Sequence, residues 1–282
     1  PTPTPVPTPT PEPTATPMPI LEAAAADSAD PAKLSLTQTV YRNGKKVTDY
    51  QRETAISMNA PDKYTYYDGG VFTFRGNSFR QNAASGTVEV EDEKLSIEWK
   101  YEMGSIRTAD YGTWYGIGWT GQPAIIKWSK EVRAATNIVD SKRDTPALKE
   151  VIVAGLDGKI YFLDLADGQP TRDAIDVGYP MKGSVSLNAY GMPVMAVGQY
   201  ARKMKSGTGD IGVRFYNLLN QKQLYLLDGL DGKLKRPISA DGAFDTSPLF
   251  NWSNKQLGMT AIGSNGMLYT MDLNTEFDVK QG

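Results

Sequence analysis

The run VIVAGLDGKIYFLDLADG, residues 151–168, aligns without a gap on MTAIGSNGMLYTMDLNTE, residues 259–276. At this offset of 108, Gly155 falls on Gly263, Gly158 on Gly266, Tyr161 on Tyr269, Asp164 on Asp272 and Leu165 on Leu273. Self-similarity of this kind marks a repeated supersecondary unit that buries its apolar faces only by stacking on its neighbours. A more divergent third copy lies between the two. MAVG at 195–198 corresponds to IVAG at 152–155, and RFYNLL at 214–219 to YFLDLA at 161–166. The offset grows from 43 to 53 between these matches, so this copy carries a ten-residue insertion, ARKMKSGTGD, which lengthens its central hairpin. Ahead of the copies lie three shorter apolar runs, QPAII at 122–126, SVSLN at 184–188 and SPLFN at 247–251, about 62 residues apart.

Each unit reads as an entry strand, a second apolar strand ending in Gly, a tight turn, a third strand ending in Asp or Asn, and a return strand. Four antiparallel strands repeated radially make a propeller blade, in which each sheet buries both faces against its neighbours. The turns Asp157-Gly158 and Asn265-Gly266 read as two-residue hairpins supplying positive φ, and Asp164 and Asp272 as caps of the turn that follows. Upstream, LSIEWKYEMG at 95–104 reads as the outer strand of an incomplete fourth unit, with Trp99 packed between sheets. No long apolar period of 3.6 residues follows residue 40, so the fold class is all-β. At about 62 residues per unit, 71–282 holds about three to four blades, fewer than most closed propellers, and the expectation is a partial or truncated ring.

The pattern of an apolar strand, then DGKIYFLD, then DG resembles the repeat of the pyrroloquinoline-quinone-type β-propellers. That family includes quinoprotein alcohol dehydrogenases and a non-enzymatic outer-membrane assembly lipoprotein. The resemblance covers roughly residues 95–282, implies the propeller fold, and places the chain in the non-catalytic branch. The enzymes hold the quinone and a calcium ion on the propeller axis with acidic and amide ligands, an Asp base and a Trp floor. None of those roles maps onto a numbered residue of this chain, so no cofactor is expected.

Composition narrows the chemistry. The chain has neither Cys nor His, which removes thiol nucleophiles, histidine-based triads, and thiolate or imidazole zinc sites. Carboxylate pairs, Ser-Lys chemistry and oxygen-ligated metals are what is left. Thirty Lys and Arg against thirty-two Asp and Glu set up no field that would draw nucleic acid or an anionic membrane.

Residues 1–19, PTPTPVPTPTPEPTATPMP, form a Pro/Thr-rich, disordered but semi-rigid spacer. Such a spacer holds a domain away from a membrane or wall, a plain interdomain linker being the alternative. The chain starts without Met and has no apolar run long enough to span a bilayer, so any signal or tether is expected upstream of residue 1. Residues 20–70 form a leader: a short helix in ILEAAAADSADPAK, closed by Pro31, then a hairpin turning at Asn43-Gly44. Residues 71–282 carry the blades.

Candidate ligand-binding residues crowd the run YGTWYGIGWTG. Tyr111, Trp114, Tyr115 and Trp119 sit just before an entry strand, where loops meet a propeller face, and their rings can stack on a sugar or a peptide aromatic. Blade-to-blade packing is the other reading of the same rings. Arg75, Arg80 and Arg107 flank them and can hold a carboxylate or phosphate. The charged stretches KEVR and SKRD read as solvated surface. GIGWTG, residues 116–121, fits the dinucleotide-binding spacing G-x-G-x-x-G, yet it precedes a β run where that fingerprint needs a helix, so nucleotide binding is set aside.

The expected function is therefore that of a non-catalytic, extracytoplasmic binding or scaffold module of the bacterial envelope. It would be displayed on a Pro/Thr spacer and bind a protein or cell-surface glycan. The alternatives are a quinone-dependent dehydrogenase or a carbohydrate-active propeller enzyme, and a purely structural spacer.

Overall fold

A computed structural model of the chain describes residues 27–30, 33, 39–51, 53, 70–78, 80, 89, 91, 94–118, 121–188, 192–234, 242–250, 257–274 and 276–278. They fall into two compact units, divided between Tyr50 and Gln51. The Pro/Thr run and most of the expected leader helix lie outside the described residues. In the first unit a 3-10 turn covers Asp27–Ala29, and strands β1 (Val40–Arg42) and β2 (Lys45–Val47) form a hairpin. Its two-residue loop has both Asn43 (φ 50) and Gly44 (φ 75) in the left-handed region, as the twist of a tight hairpin demands.

The second unit is all-β apart from two short helices. Its elements are β3 (Ser105–Arg107), β4 (Thr113–Tyr115), β5 (Ala124–Ile126), α1 (Lys130–Ala135), α2 (Asp140–Arg143), β6 (Glu150–Ala154), β7 (Lys159–Asp164) and β8 (Ile175–Asp176). There follow β9 (Ser186–Leu187), β10 (Val194–Gly198), β11 (Lys203–Met204), β12 (Gly207–Thr208), β13 (Gly212–Asn217), β14 (Gln223–Asp228), β15 (Leu249–Phe250), β16 (Leu257–Ile262) and β17 (Leu268–Leu273). Two four-stranded antiparallel sheets result, β5-β6-β7-β8 and β9-β10-β13-β14, with a three-stranded sheet β15-β16-β17 after them. The three entry runs become the first strands β5, β9 and β15. The insertion 201–210 becomes the separate hairpin β11–β12, so the middle copy does have a lengthened tip.

Side-chain alternation shows why these strands are apolar on both faces. In β6 and β7, Ile152, Ala154, Ile160 and Phe162 pack with Met195, Val197 and Tyr216 of the second sheet. The alternate residues Val151, Tyr161 and Leu163 face the other way, onto Trp99 and Met103. In β10 and β13, Val194, Ala196, Val213 and Phe215 pack against Phe250, Ala261 and Tyr269 of the third sheet. Each fully buried side chain of this type contributes about 1.5–3 kcal/mol, so inter-sheet packing dominates the stability.

Polar bonds repeat from sheet to sheet as well. The N–H of Gln122 donates to Ser184 Oγ at 2.7 Å, and the N–H of Ser184 donates to Ser247 Oγ at 3.1 Å. These are the first residues of the three entry runs. The turns repeat too, but with three-residue loops instead of two. Gly155 and Lys159 close the first, the N–H of Gly155 donating to the Lys159 carbonyl, and only Gly158 (φ 84) has positive φ. Asp157 instead accepts from the N–H groups of Lys159 and Gly104 and from the Tyr161 hydroxyl. In the third sheet Gly266 (φ 78) takes the left-handed position, while Asn265 accepts from the N–H of Met267 and donates to Tyr269 Oη and the Gly229 carbonyl. Asp164 caps its turn as expected, accepting from the N–H of Ala166 at 3.0 Å.

Two expectations fail locally. KEVR and SKRD are not plain solvated surface: Ser129 caps α1 by accepting from the N–H of Val132, and Arg133 is buried with its guanidinium on the carbonyls of Trp128 and Arg143. Residues 94–103 form no regular element and pair with no described strand, although Trp99 does lie against the first sheet, its Nε1 donating to the Leu165 carbonyl at 2.9 Å.

A strap, residues 71–78 and 80, crosses the first strands of all three sheets. Val71 bridges Ile125 through two 2.8 Å backbone bonds, and the Phe72 carbonyl accepts from the N–H of Leu187 at 2.8 Å. Thr73 Oγ1 lies 2.9 Å from Ser186 Oγ and donates to the Pro248 carbonyl at 3.3 Å. Ser78 Oγ donates to the Phe250 carbonyl at 3.1 Å.

Candidate functional site

The hairpin β3–β4 projects ahead of the first sheet and carries the aromatic cluster. Its loop is fixed by Thr108, whose Oγ1 donates to the Gly112 carbonyl and accepts from the N–H of Tyr111, both at 2.9 Å. Gly112 (φ 73) takes the left-handed position that an L-residue strains to reach. A second hairpin, β11–β12, grips the first: Thr108 bridges Met204, Ala109 N–H donates to the Lys203 carbonyl, and Lys205 N–H donates to the Arg107 carbonyl. Lys203 Nζ lies 3.7 Å from Asp110 Oδ2 across the same junction.

On this platform Trp114 is held between two tyrosines. Its ring stacks on Tyr111 at 5.9 Å and on Tyr200 at 5.1 Å, each inclined by 29°. Lys182 Nζ lies 3.6 Å from the Tyr200 ring centre and 6.0 Å from that of Trp114, so the ammonium sits on the negative faces of both rings. Tyr111 and Tyr115 are about two-thirds exposed, at 66% and 69%, which leaves ring surface open to a second molecule. Both stacking geometries fall in the range where aromatic pairs add about 0.5–1.5 kcal/mol each beyond area burial, so the rings are arranged without a ligand.

The glycines of GIGWTG have a structural explanation. Gly116 has φ 62 and its carbonyl accepts from the N–H of Leu156. A Cβ on Gly118 would stand 2.9 Å from Lys182 Cα, and one on Gly121 2.8 Å from the Lys182 carbonyl oxygen. The loop is thus pressed against the backbone that carries Lys182, and its glycines permit that approach.

The sequence-derived candidates are divided between two places. Tyr111, Trp114, Tyr115 and Arg107 share the hairpin β3–β4, whereas Arg75 and Arg80 belong to the strap. Arg75 (φ 59) donates its backbone N–H to Gln122 Oε1 at 2.8 Å. Arg80 donates from Nη1 to Thr73 Oγ1 and the Phe74 carbonyl, and from Nη2 to the Ser247 carbonyl; burial lowers its pKa from the ordinary value. Its guanidinium is committed to joining the strap to the third sheet. Trp119 lies outside the described residues. Tyr200 and Lys182 were not legible as candidates, since they join Trp114 only across 86 and 68 positions of chain. The one sequence signal near them is the insertion that begins at Ala201.

Other ionisable groups are engaged structurally. Lys142 Nζ contacts Asp164 Oδ2 at 2.8 Å and Asp167 Oδ2 at 2.6 Å, and hydrogen bonds to both carboxylates raise its pKa. Among the described residues no group of three or more acidic side chains is placed to hold a metal ion, and no helix is long and apolar enough to cross a membrane. Set against protein-family models and against curated proteins, the chain matches none.

Proposed function

We propose that residues 71–282 form successive β-propeller blades of the quinoprotein-like type and act as a non-catalytic binding module of the bacterial envelope. The blade reading is supported by the two four-stranded meanders, by packing on both faces of their strands, and by the Gln122–Ser184–Ser247 bonds between equivalent positions. On this reading the Pro/Thr segment displays the module outside the cell, and its ligand is a protein or a cell-surface glycan.

The observation that carries the binding function is the Tyr111–Trp114–Tyr200 stack with Lys182 on its face. Pre-stacked rings with exposed flanks suit the apolar face of a sugar or an aromatic side chain, and a cation at the rim suits a carboxylate. The quinone and calcium of the resembled enzymes do not fit the residues present. The first strands, which line the axis in a propeller, are here occupied by Val71, Phe72 and Thr73 of the strap.

A glycan array and a peptidoglycan pull-down, run with the wild type and with Trp114→Ala and Lys182→Ala, test the surface. Loss of binding in both variants is expected, with Trp114→Ala also losing about 1–3 kcal/mol of stability from its two stacks. Binding unchanged in both would rule this surface out.

A further inference from the structure

The middle copy of the repeat carries ten residues that its sheet does not need. In the first and third sheets the corresponding turn closes in three residues, between Gly155 and Lys159 and between Gly263 and Met267. The insertion ARKMKSGTGD pairs instead with the hairpin β3–β4, and three of its residues are cationic: Arg202, Lys203 and Lys205. Met204 is buried where it bridges Thr108, while Lys203 and Lys205 on either side of it are exposed.

Charge collects here. Together with the loop 178–184, the two hairpins hold five cations, Arg107 and Lys182 being the others, against the carboxylates of Asp110 and Asp210, in a chain whose formal net charge is −2. Asp110 answers Lys203 at 3.7 Å. Arg202 has no such answer: its Nε is sealed from solvent and has no hydrogen-bond partner among the described residues. An unmatched buried donor on a charged group is costly, and an acceptor brought by a ligand would relieve it.

The backbone fixes Arg202 beside the rings. The N–H of Tyr200 donates to the Pro180 carbonyl at 2.9 Å, the N–H of Gly209 donates to the Arg202 carbonyl at 3.0 Å, and a Cβ on Gly209 would collide with the Tyr179 hydroxyl. The root of the insertion therefore lies along 179–182. Arg202 follows by two places the tyrosine whose ring Lys182 covers at 3.6 Å.

We propose that the ligand of this platform is an acidic polysaccharide of the uronic acid class. The C–H face of a pyranose ring lies on the exposed Tyr111 flank of the aromatic stack, Arg202 takes the carboxylate of that sugar, and Lys203 and Lys205 meet the charges of its neighbours along the chain. A neutral glycan would supply the ring without the charge, and a polyol phosphate the charge without the ring. An acidic peptide carries its carboxylates on flexible stems with no flat apolar face beside them. The proposal rests on the reading of the stack as a binding surface and goes beyond it in assigning the ligand's charge and Arg202's part in holding it.

Affinity gel electrophoresis of the full chain in polygalacturonate, alginate and hyaluronate tests this, with dextran as the neutral control and poly(glycerol phosphate) and polyglutamate as acidic controls. At least one of the three uronate polymers should retard the wild type, and none of the controls should. Raising the salt from about 0.05 M to about 0.5 M should weaken binding about tenfold. Arg202→Met should weaken it about tenfold or more, yet unfold at no lower temperature than the wild type, because its Nε has no partner to lose. Lys203→Glu combined with Lys205→Glu should weaken it too, and Trp114→Ala should abolish it. Equal retardation by dextran, abolished in Trp114→Ala, would overturn the acidic ligand while leaving the stack as a binding surface. Uronate binding unchanged in Trp114→Ala would overturn both. Retardation by none of the uronate polymers, equal retardation by poly(glycerol phosphate) or polyglutamate, or an Arg202→Met protein that binds as the wild type does would each overturn the proposal.

Discussion

Arg172 lies against Glu150 with both side chains sealed from solvent, donating from Nε to Oε1 at 2.9 Å and from Nη2 to Oε2. Glu150 also accepts from Trp128 Nε1 at 2.9 Å and from Thr171 Oγ1, so its carboxylate is fully engaged. The far end of Arg172 reaches the Leu218 carbonyl, just past β13 of the second sheet, and Asn137 Oδ1. The pair therefore couples the first sheet to the second. Removing either partner leaves an uncompensated buried charge, so Glu150→Ala and Arg172→Ala should each lose about 3–5 kcal/mol. Replacing both by Met should cost less than the sum of the two. Urea unfolding of the three variants measures this, and strict additivity would contradict the coupling.

Tyr161 and Tyr216 should resist ionisation. Burial, and then the hydrogen bond to Asp157, push Tyr161 from 10.0 up to about 12; burial alone pushes Tyr216 to about 12. The fold thus favours the neutral phenols. Their contribution is fully present below the unfolded value near 10 and is lost as pH rises through about 12. Tyr161→Phe should flatten the decline of stability in that window. An identical decline in both proteins would show that Tyr161 is not the group responsible.

The turn position of Asp157 should accept Asn better than Ala. Asn265 already serves there in the third sheet, donating to Tyr269 Oη where Asp157 accepts from the Tyr161 hydroxyl. Asp157→Ala strips partners from Gly104, Lys159 and Tyr161 and should cost about 1–3 kcal/mol. Asp157→Asn should cost clearly less in thermal unfolding. Equal losses would mean that the repeat at this position is one of shape and not of hydrogen bonding.

Alanine in the loop 116–121 should separate two kinds of strain. Gly116→Ala meets open space at φ 62 and should lose about 1–2 kcal/mol from the left-handed conformation alone. Gly118→Ala drives a methyl toward Lys182 Cα and should cost about 1–3 kcal/mol by overpacking while displacing the Lys182 ammonium. Ligand binding should therefore fall in Gly118→Ala and persist in Gly116→Ala. A pull-down comparing the two variants decides the matter.

The strands were readable because their demands are local: alternating apolar residues, and Gly at 158 and 266, where the turn needs positive φ. The Asn43-Gly44 hairpin was readable for the same reason. The helices at 130–143 escaped because six residues are too few to show a period, although Ser129 three places before Val132 is a visible cap. Arg80 misled because an arginine flanking an aromatic run looks free, and only the fold brings the Ser247 carbonyl to it. Half of the aromatic platform was legible in YGTWYG. Its other half, Tyr200 and Lys182, comes from the end of one strand and the approach to another, a juxtaposition that no local pattern encodes.

The strap also sets a clock on synthesis. Thr73 leaves the ribosome 175 residues before Pro248, whose carbonyl accepts its hydroxyl. At about 5–20 residues per second, that interval is roughly 9–35 s. Through it, the strap can pair first with Ile125 and next with Leu187, each as its strand emerges, while Ser78 and Arg80 wait for the third sheet. The strap's bonds to Phe250 and Ser247 therefore form only after those residues have been synthesised.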